Sequence, residues 1–384
     1  MSVIRPRPPE DPLVHQSRLA EAAIAAHADR LAAIRDRLAA APTSVDLAAR
    51  VLDEYDTRRP ESGLFAILAA ARRIRDAVDR LVVVAGGGIA PATRLLVATC
   101  CHPFHDQLAR GERGGRPRLS WLDGAAGNDE IRGLLDVVTS AGGPIDDLLD
   151  RWAIMAIDVP RDDPRQAAVV EFLLAALAEA AGHDHARVAV RFVPVTAPGS
   201  RVAGIAASFP GDTTFTALAE LGGPQGVFTA AGLLPAAVAG IDVVRILKGA
   251  AAMLQRFAEA PVAENPALVD AAIGCQAATA EGRPGRTFVG PGRWLAELAA
   301  WQGEFRPVPA GRAALVTAVT PGAPRRDRLA SAGGAPWPEP AADKAQREAD
   351  VVIGLPRLDE HAIGQLLQLL VLSAAVEERL RQGL

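Results

Sequence analysis

A short continuous apolar run, Leu81 to Ala85 (LVVVA), is followed directly by Gly86, Gly87 and Gly88 and then by a segment with helical character. An apolar run of this length that ends at glycine is typical of a strand buried on both faces, as in a parallel sheet. A strand, a glycine turn and a helix together form the start of a parallel α/β unit. This stretch therefore favours an α/β protein built around parallel strands.

The same alternation of strands and helices continues along the chain. Further strands are predicted over 119–123, 152–157, 187–195, 287–289, 312–319 and 350–353. Helices are predicted over 92–99, 128–138 and 163–181, and a last long helix is expected to be capped by Asp359 or Glu360. Repeated strand–helix units indicate a doubly wound parallel sheet, here of about four or five strands in the first domain.

The N-terminal part reads differently, as a series of helices. Apolar residues recur at three- and four-residue spacing from His15 to Ala40, which predicts an amphipathic helix on which His15 is solvated. Two further helices are expected before Val78. The predicted organisation is therefore a helical segment over 1–78, a first α/β domain over 79–210 and a second α/β domain over 211–384.

Composition excludes several classes of protein. The chain has 384 residues, 49% of them hydrophobic and 22% charged, with a net charge of −4. This balance is globular, and it lacks the broad basic surface expected of a nucleic-acid-binding protein. The start of the chain is polar and proline-rich, and no unbroken apolar run is long enough to span a bilayer, so we expect a cytoplasmic protein without membrane contact.

Metal and cofactor sites are also not expected. Cys100, Cys101 and Cys275 are odd in number and lack metal-ligand spacing, so they are predicted to be small buried side chains in a reducing compartment. His183 and His185 flank Asp184, but a turn position without a third ligand favours solvated side chains. The sequence thus predicts no metal and no cofactor.

The stretch from Gly222 to Met253 reads as a loop, an apolar helix, a Gly-Ile-Asp break and a second helix. It contains the pattern G-L-x-P-A-A-x-x-G-x-D, in which Thr229 is placed to cap the first helix. This pattern resembles the core of the glucose-6-phosphate isomerase family. The matching positions are Gly232, Leu233, Leu234, Pro235, Ala236, Ala237, Gly240 and Asp242.

The resemblance implies a fold and a ligand. The expected fold is two sugar-isomerase (SIS) type domains, each a parallel sheet in an αβα sandwich, with the N-terminal helices packed across them. It implies a sugar phosphate as ligand, an aldose–ketose isomerase reaction and a homodimer. Glycine turns can present backbone N–H groups to an anion. The expected ligand-binding positions are Gly86, Gly87, Gly88, Arg161, Gly222, Gly223 and Gln225.

The positions that carry the family's chemistry differ in this chain. The family's basic glutamate falls on Trp301, its arginine on Pro224 and its histidine on Asp327, and its C-terminal lysine motif has no counterpart. Glu304, three residues beyond Trp301, is the candidate for a displaced base. The expected function is therefore a family member with weak or lost isomerase activity. The alternatives are a non-catalytic relative that binds a sugar phosphate or a protein partner, and a structural subunit.

Overall fold

The computed structural model describes residues 11–40, 44–86, 89–139, 147–158, 163–209, 214–216, 224–322 and 347–383. The chain divides into two compact units, and each contains one sheet. The five-stranded unit comprises residues 50–243 and 300–305, and the four-stranded unit comprises residues 1–49, 244–299 and 306–384. The domain limits predicted at residues 78 and 210 stay a prediction.

The helices follow the predicted alternation with the strands. In chain order they are α1 (Ala20–Ala40), α2 (Leu47–Arg58), α3 (Gly63–Ala77), α4 (Ile89–Cys100), α5 (Asn128–Val138), α6 (Pro164–Ala180), α7 (His185–Ala189), α8 (Arg201–Ala206), α9 (Ala230–Val238), α10 (Val243–Glu259), α11 (Pro266–Thr279), α12 (Trp294–Gly303) and α13 (Glu360–Gln382). Within the described ranges, none of these helices combines the length and the apolar character that crossing a membrane requires.

The strands confirm the α/β class. They are β1 (Val14–Ser17), β2 (Arg80–Ala85), β3 (Arg118–Leu122), β4 (Trp152–Asp158), β5 (Phe192–Thr196), β6 (Phe215–Thr216), β7 (Arg286–Val289), β8 (Leu315–Pro321) and β9 (Val351–Leu355). In the five-stranded unit, strands pair in parallel in the order β3-β2-β4-β5-β6. The apolar run in β2 is buried throughout, as a central parallel strand requires.

The strand predicted over 187–195 is shorter than expected. Asp184 accepts hydrogen bonds from the backbone N–H groups of Ala186 and Arg187 and so caps the short helix α7. An aspartate that satisfies the first N–H groups of a turn favours helix over strand. The strand β5 therefore begins only at Phe192.

The four-stranded unit contains a strand that the periodicity did not predict. Its sheet order is β1-β9-β8-β7, in which β7, β8 and β9 are parallel and β1 is antiparallel to β9. The helix predicted from His15 begins only at Ala20, because Val14–Ser17 pairs with residues 351–354 of β9. Pairing with a distant strand thus overrides the local helical pattern.

Most helix starts are set by single side chains, several of them predicted. The Thr229 hydroxyl accepts from the N–H of Ala231, and the Asp359 carboxylate accepts from the N–H of Ala362. Asn265 caps α11 in the same way. At α5, Gly127 holds the cap position and Asn128 is the first helical residue. Gly240, with φ of +83°, ends the segment after α9 as the sequence indicated.

Two helices of the four-stranded unit cross at a glycine on each partner. A Cβ atom at Gly364 of α13 would lie 2.0 Å from the Ile246 carbonyl oxygen, and one at Gly249 of α10 would lie 2.0 Å from the His361 carbonyl oxygen. These distances are far below any van der Waals contact. The helix backbones approach this closely only because both positions lack a side chain.

Gly364→Ala is therefore expected to destabilise the protein, by about 1–3 kcal/mol, because the added methyl group overpacks the crossing. The measurement is the free energy of unfolding in a denaturant titration. Gly303→Ala is the matched control, since a Cβ at Gly303 would meet no atom within 4 Å. Equal stability of both variants would contradict the proposed close crossing.

Candidate functional site

The order of the five-stranded sheet creates one point at which its connections reverse direction. The chain runs from β2 outward to β3 and then returns to β4 on the other side of β2. In open α/β sheets, ligands bind beyond the carboxyl ends of the strands at such a switch point. The register pairs Ala85 with Ile157, so Gly86 and Asp158 follow side by side at this end of the sheet.

Gln166, on the first turn of α6, lies at this switch point. Its side chain is buried, and its Nε2 donates a 2.7 Å hydrogen bond to the Ile157 carbonyl oxygen. This bond fixes the amide orientation, because only the nitrogen can donate to a carbonyl. A Cβ at Gly124 would lie 2.8 Å from Gln166 Oε1, and one at Gly86 would lie 3.6 Å from it. The two glycines therefore make room for this amide.

The other polar atoms at the switch point are the Gln166 Oε1 atom and the carboxylate of Asp158. Within the described ranges, the Gln166 side chain makes its hydrogen bond through Nε2, and no described residue donates a hydrogen bond to Oε1. Asp158, the last residue of β4, is also buried, with 1% of its surface exposed. We call Gly86, Gly124, Asp158 and Gln166 the switch-point site. Both of its polar side chains are buried, and the carboxylate oxygens of Asp158 have almost no exposed surface.

The N-terminus of α6 beside this site is already capped. The Asp163 carboxylate accepts the Arg165 N–H at 2.8 Å and pairs with the Arg165 guanidinium at 2.9 Å. The side-chain and backbone hydrogen bonds from Arg165 lower the pKa of Asp163, and the same pairing raises the pKa of Arg165. Pro164 has no N–H to offer. Among the described residues of this helix end, the N–H and the guanidinium of Arg165 therefore both bind Asp163.

The structure describes only part of the set of residues predicted to bind a ligand. Gly86 lies in the switch-point site, and Gln225 is half-buried in the 3₁₀ turn Pro224–Phe228. The other five lie outside the described residues: Gly87, Gly88, Arg161, Gly222 and Gly223. The ligand-binding roles of all seven stay predictions.

Glu304, the candidate displaced base, follows the end of α12 and is exposed to solvent. Trp301, which takes the position of the family's basic glutamate, is 1% exposed and packs edge-on against Phe305 with 5.1 Å between ring centres. An indole packed in this way fills a hydrophobic core. Among the described residues, no group of three or more His, Cys, Asp or Glu side chains is arranged to hold a metal ion.

Sequence reasoning did not single out Gln166 or Gly124. A detectable signal exists for both. Gln166 is a polar residue on a helix face whose other residues are buried and apolar. Gly124 comes shortly after the end of β3, at a position where a glycine in a turn would be expected. A buried glutamine one turn after a predicted strand–helix junction is a residue worth testing for ligand contact.

Comparisons with known proteins support the resemblance. No family model matches the chain. The chain is 34% identical to the glucose-6-phosphate isomerase of Rubrobacter xylanophilus over 246 aligned residues. These residues make up 63% of this chain and 53% of that protein. It is 31% identical to the glucose-6-phosphate isomerase of Symbiobacterium thermophilum over 201 aligned residues, and these make up 52% of this chain and 42% of that protein. The chain thus spans about half the length of the curated relatives that it matches.

Solved structures share the fold. A hypothetical protein from Thermus thermophilus superposes with a TM-score of 0.72 at 21% identity, covering 96% of this chain and 94% of that one. A glucose-6-phosphate isomerase from Chlamydia trachomatis superposes with a TM-score of 0.60 at 16% identity, covering 82% of this chain and 68% of that one. The chain is therefore similar in sequence to glucose-6-phosphate isomerases, and it shares the α/β fold of these solved structures.

Proposed function

We propose that this protein binds a carbohydrate derivative at the switch-point site and has weak or no aldose–ketose isomerase activity. The observation that carries the binding part is the switch point itself, where Gln166 lies against Gly86 and Gly124 and donates to the end of β4. A sugar hydroxyl can donate to the amide oxygen of Gln166. The homodimer stays an expectation from the family resemblance, and the cytoplasmic location stays an expectation from the sequence.

The activity part of the proposal rests on the candidate base. Isomerisation moves a proton between two adjacent carbons, and a positioned general base contributes about 10²–10⁴ in rate. Such a base has to be held against the substrate. Glu304 is exposed on the surface after the end of α12 and does not belong to the switch-point site. Trp301 at the family position has no basic atom.

The test is NMR-detected conversion of glucose 6-phosphate to fructose 6-phosphate by protein made in a host without its own isomerase. We expect turnover at least about 10²-fold below the typical enzyme value of about 10 s⁻¹, because a positioned base is missing. Any residual rate is expected to be equal in the wild type, in Glu304→Gln and in the control Glu297→Gln, which lies on α12.

A different result would overturn the proposal. Turnover near 10 s⁻¹ that disappears in Glu304→Gln but persists in Glu297→Gln would identify Glu304 as a relocated base. The protein would then be an active isomerase. Near-typical turnover that survives in both variants would also contradict the proposal and would place the base elsewhere.

A further inference from the structure

We propose that His361, Gln365 and residues 11–13 form a pH-sensitive latch in the four-stranded unit. Protonation of the His361 imidazole breaks its hydrogen bond with the Gln365 amide, and residues 11–13 then loosen from α13. The contact is buried, since Leu13, Gln365 and His361 are 1%, 2% and 8% exposed. This inference is independent of the proposed sugar binding, which concerns the five-stranded unit.

The Gln365 side chain joins α13 to the N-terminal segment. Its Oε1 atom accepts the backbone N–H of Leu13 at 3.1 Å. Only the oxygen of an amide side chain accepts from an N–H, so this bond fixes the orientation of the amide. The Nε2 atom therefore faces the Asp11 carbonyl oxygen at 3.3 Å and the His361 Nδ1 atom at 3.1 Å. Each of the two N–H groups on Nε2 thus has an acceptor.

The fixed amide also determines where the neutral imidazole of His361 carries its proton. Because Gln365 Nε2 is a donor, His361 Nδ1 has to accept, and the ring proton is on His361 Nε2. A second proton can then enter only at Nδ1. This proton would point at the N–H of Gln365, and two donors cannot form a hydrogen bond. Protonation of His361 and the present position of the Gln365 amide therefore exclude each other.

The charged groups beside His361 come from α10 and from the first turn of α13. Arg245 of α10 lies 2.8 Å from Asp359 and 3.6 Å from Glu360. Three further charged side chains of neighbouring positions are exposed: Asp11, Lys248 and Arg357. Carboxylates, lysines and arginines keep their charge between about pH 5 and about pH 7.5, whereas a histidine changes its charge in this range. Among these groups, His361 is therefore the one that responds to mild acid.

The loosening is expected to stay local. Arg256 still donates to the Leu13 carbonyl oxygen at 2.8 Å, and the pairing of β1 with β9 begins at Val14. Asp11 and Pro12 line a cavity of about 450 Å³ together with residues at the carboxyl ends of β8 and β9. Release of the latch would therefore open one wall of this cavity while β1 stays in the sheet.

Amide hydrogen exchange followed by NMR, corrected for the intrinsic effect of pH on exchange, tests this inference. We expect the protection of the Leu13 amide to fall about tenfold from about pH 7.5 to about pH 5, because its bond to Gln365 is lost. His361→Asn offers an oxygen acceptor in place of Nδ1 and takes up no proton, so protection is expected to persist at both pH values. Gln365→Met removes the amide, and protection is expected to be low at both. His27→Asn removes a histidine of α1 outside the latch, and this control is expected to behave like the wild type.

Several results would overturn the inference. One is wild-type protection of Leu13 that does not change between the two pH values. A pH dependence that persists in His361→Asn would assign the effect to another group, such as His15 of β1. An equal loss of protection at Leu31 of α1 would show that the whole unit loosens. Circular dichroism checks the folding of the variants. If His361→Asn is unfolded, Gln365→Met decides, since wild-type protection in that variant at about pH 7.5 would contradict the latch.

Discussion

Asp79→Asn is expected to destabilise the five-stranded unit by about 3–5 kcal/mol, since it removes the negative partner from a buried ion cluster. The Asp79 side chain is fully buried just before β2, and its carboxylate lies 2.9 Å from Arg110 and 2.5 Å from both Arg113 and Arg118. The variant would leave three guanidinium groups around a neutral amide. The measurement is the free energy of unfolding from a denaturant titration followed by circular dichroism.

Asp76→Asn is the matched control for this prediction, because Asp76 is exposed on α3 and loses the same charge. Burial lowers the pKa of Arg113, and the negative charge of the neighbouring Asp79 acts in the opposite direction and raises it. The guanidinium also donates to the carbonyl oxygens of Leu108 and Arg116. A loss below about 1 kcal/mol, which is the range of exposed ion pairs, would contradict the prediction. It would show that the carbonyl contacts are enough to stabilise the buried arginines without the negative charge of Asp79.

The parallel strands could be predicted from the sequence because their signal is local. The run from Leu81 to Ala85 is apolar at every position. A strand buried on both faces of a parallel sheet needs no alternation of polar and apolar residues, so the run itself identifies the strand. Helix caps are equally local. Asp163, Thr229 and Asn265 each accept an N–H within three residues, so their roles follow from spacing alone.

The strand β1 and the state of His15 could not be predicted, because their cause is distant in sequence. His15 was expected to be solvated, but its side chain is 3% exposed and contacts Asp270, 255 residues away. Periodicity within His15 to Ala40 contains no information about that partner. Local patterns predict which residues form helices, and a long-range pairing decides where α1 begins.

The candidate site was predictable in position and only partly in composition. A glycine after β2 marks the carboxyl end of the sheet, and Gly86 does lie at the switch point. Gln166 was missed because a glutamine in the first turn of a helix usually faces solvent. Its burial depends on Gly124 of a neighbouring loop, and a single sequence does not show that contact.

Asp270→Asn is the second substitution for which we expect a large effect. It is expected to lower the free energy of unfolding of the four-stranded unit by about 3–5 kcal/mol at pH 7. The Asp270 carboxylate is fully buried, lies 2.8 Å from the Arg286 guanidinium and accepts the Ser373 hydroxyl at 2.5 Å. His15 lies 3.1 Å away on its other oxygen. Neutralising Asp270 would leave Arg286 buried without its counter-charge. Denaturant titration measures the loss, and the exposed Asp29→Asn on α1 is the control.

The pH dependence of this loss gives a sharper test. Burial alone would raise the pKa of Asp270, but the Arg286 charge and the His15 hydrogen bond lower it well below its ordinary value. A carboxyl with a depressed folded pKa contributes stability above its unfolded pKa of about 3.9 and loses it as the pH falls toward the folded value. The difference between wild type and Asp270→Asn is therefore expected to be constant from pH 7 to about pH 5 and to shrink below about pH 4. A difference that stays constant down to about pH 3 would mean that Asp270 titrates alike in both states, which would contradict its role as the paired charge.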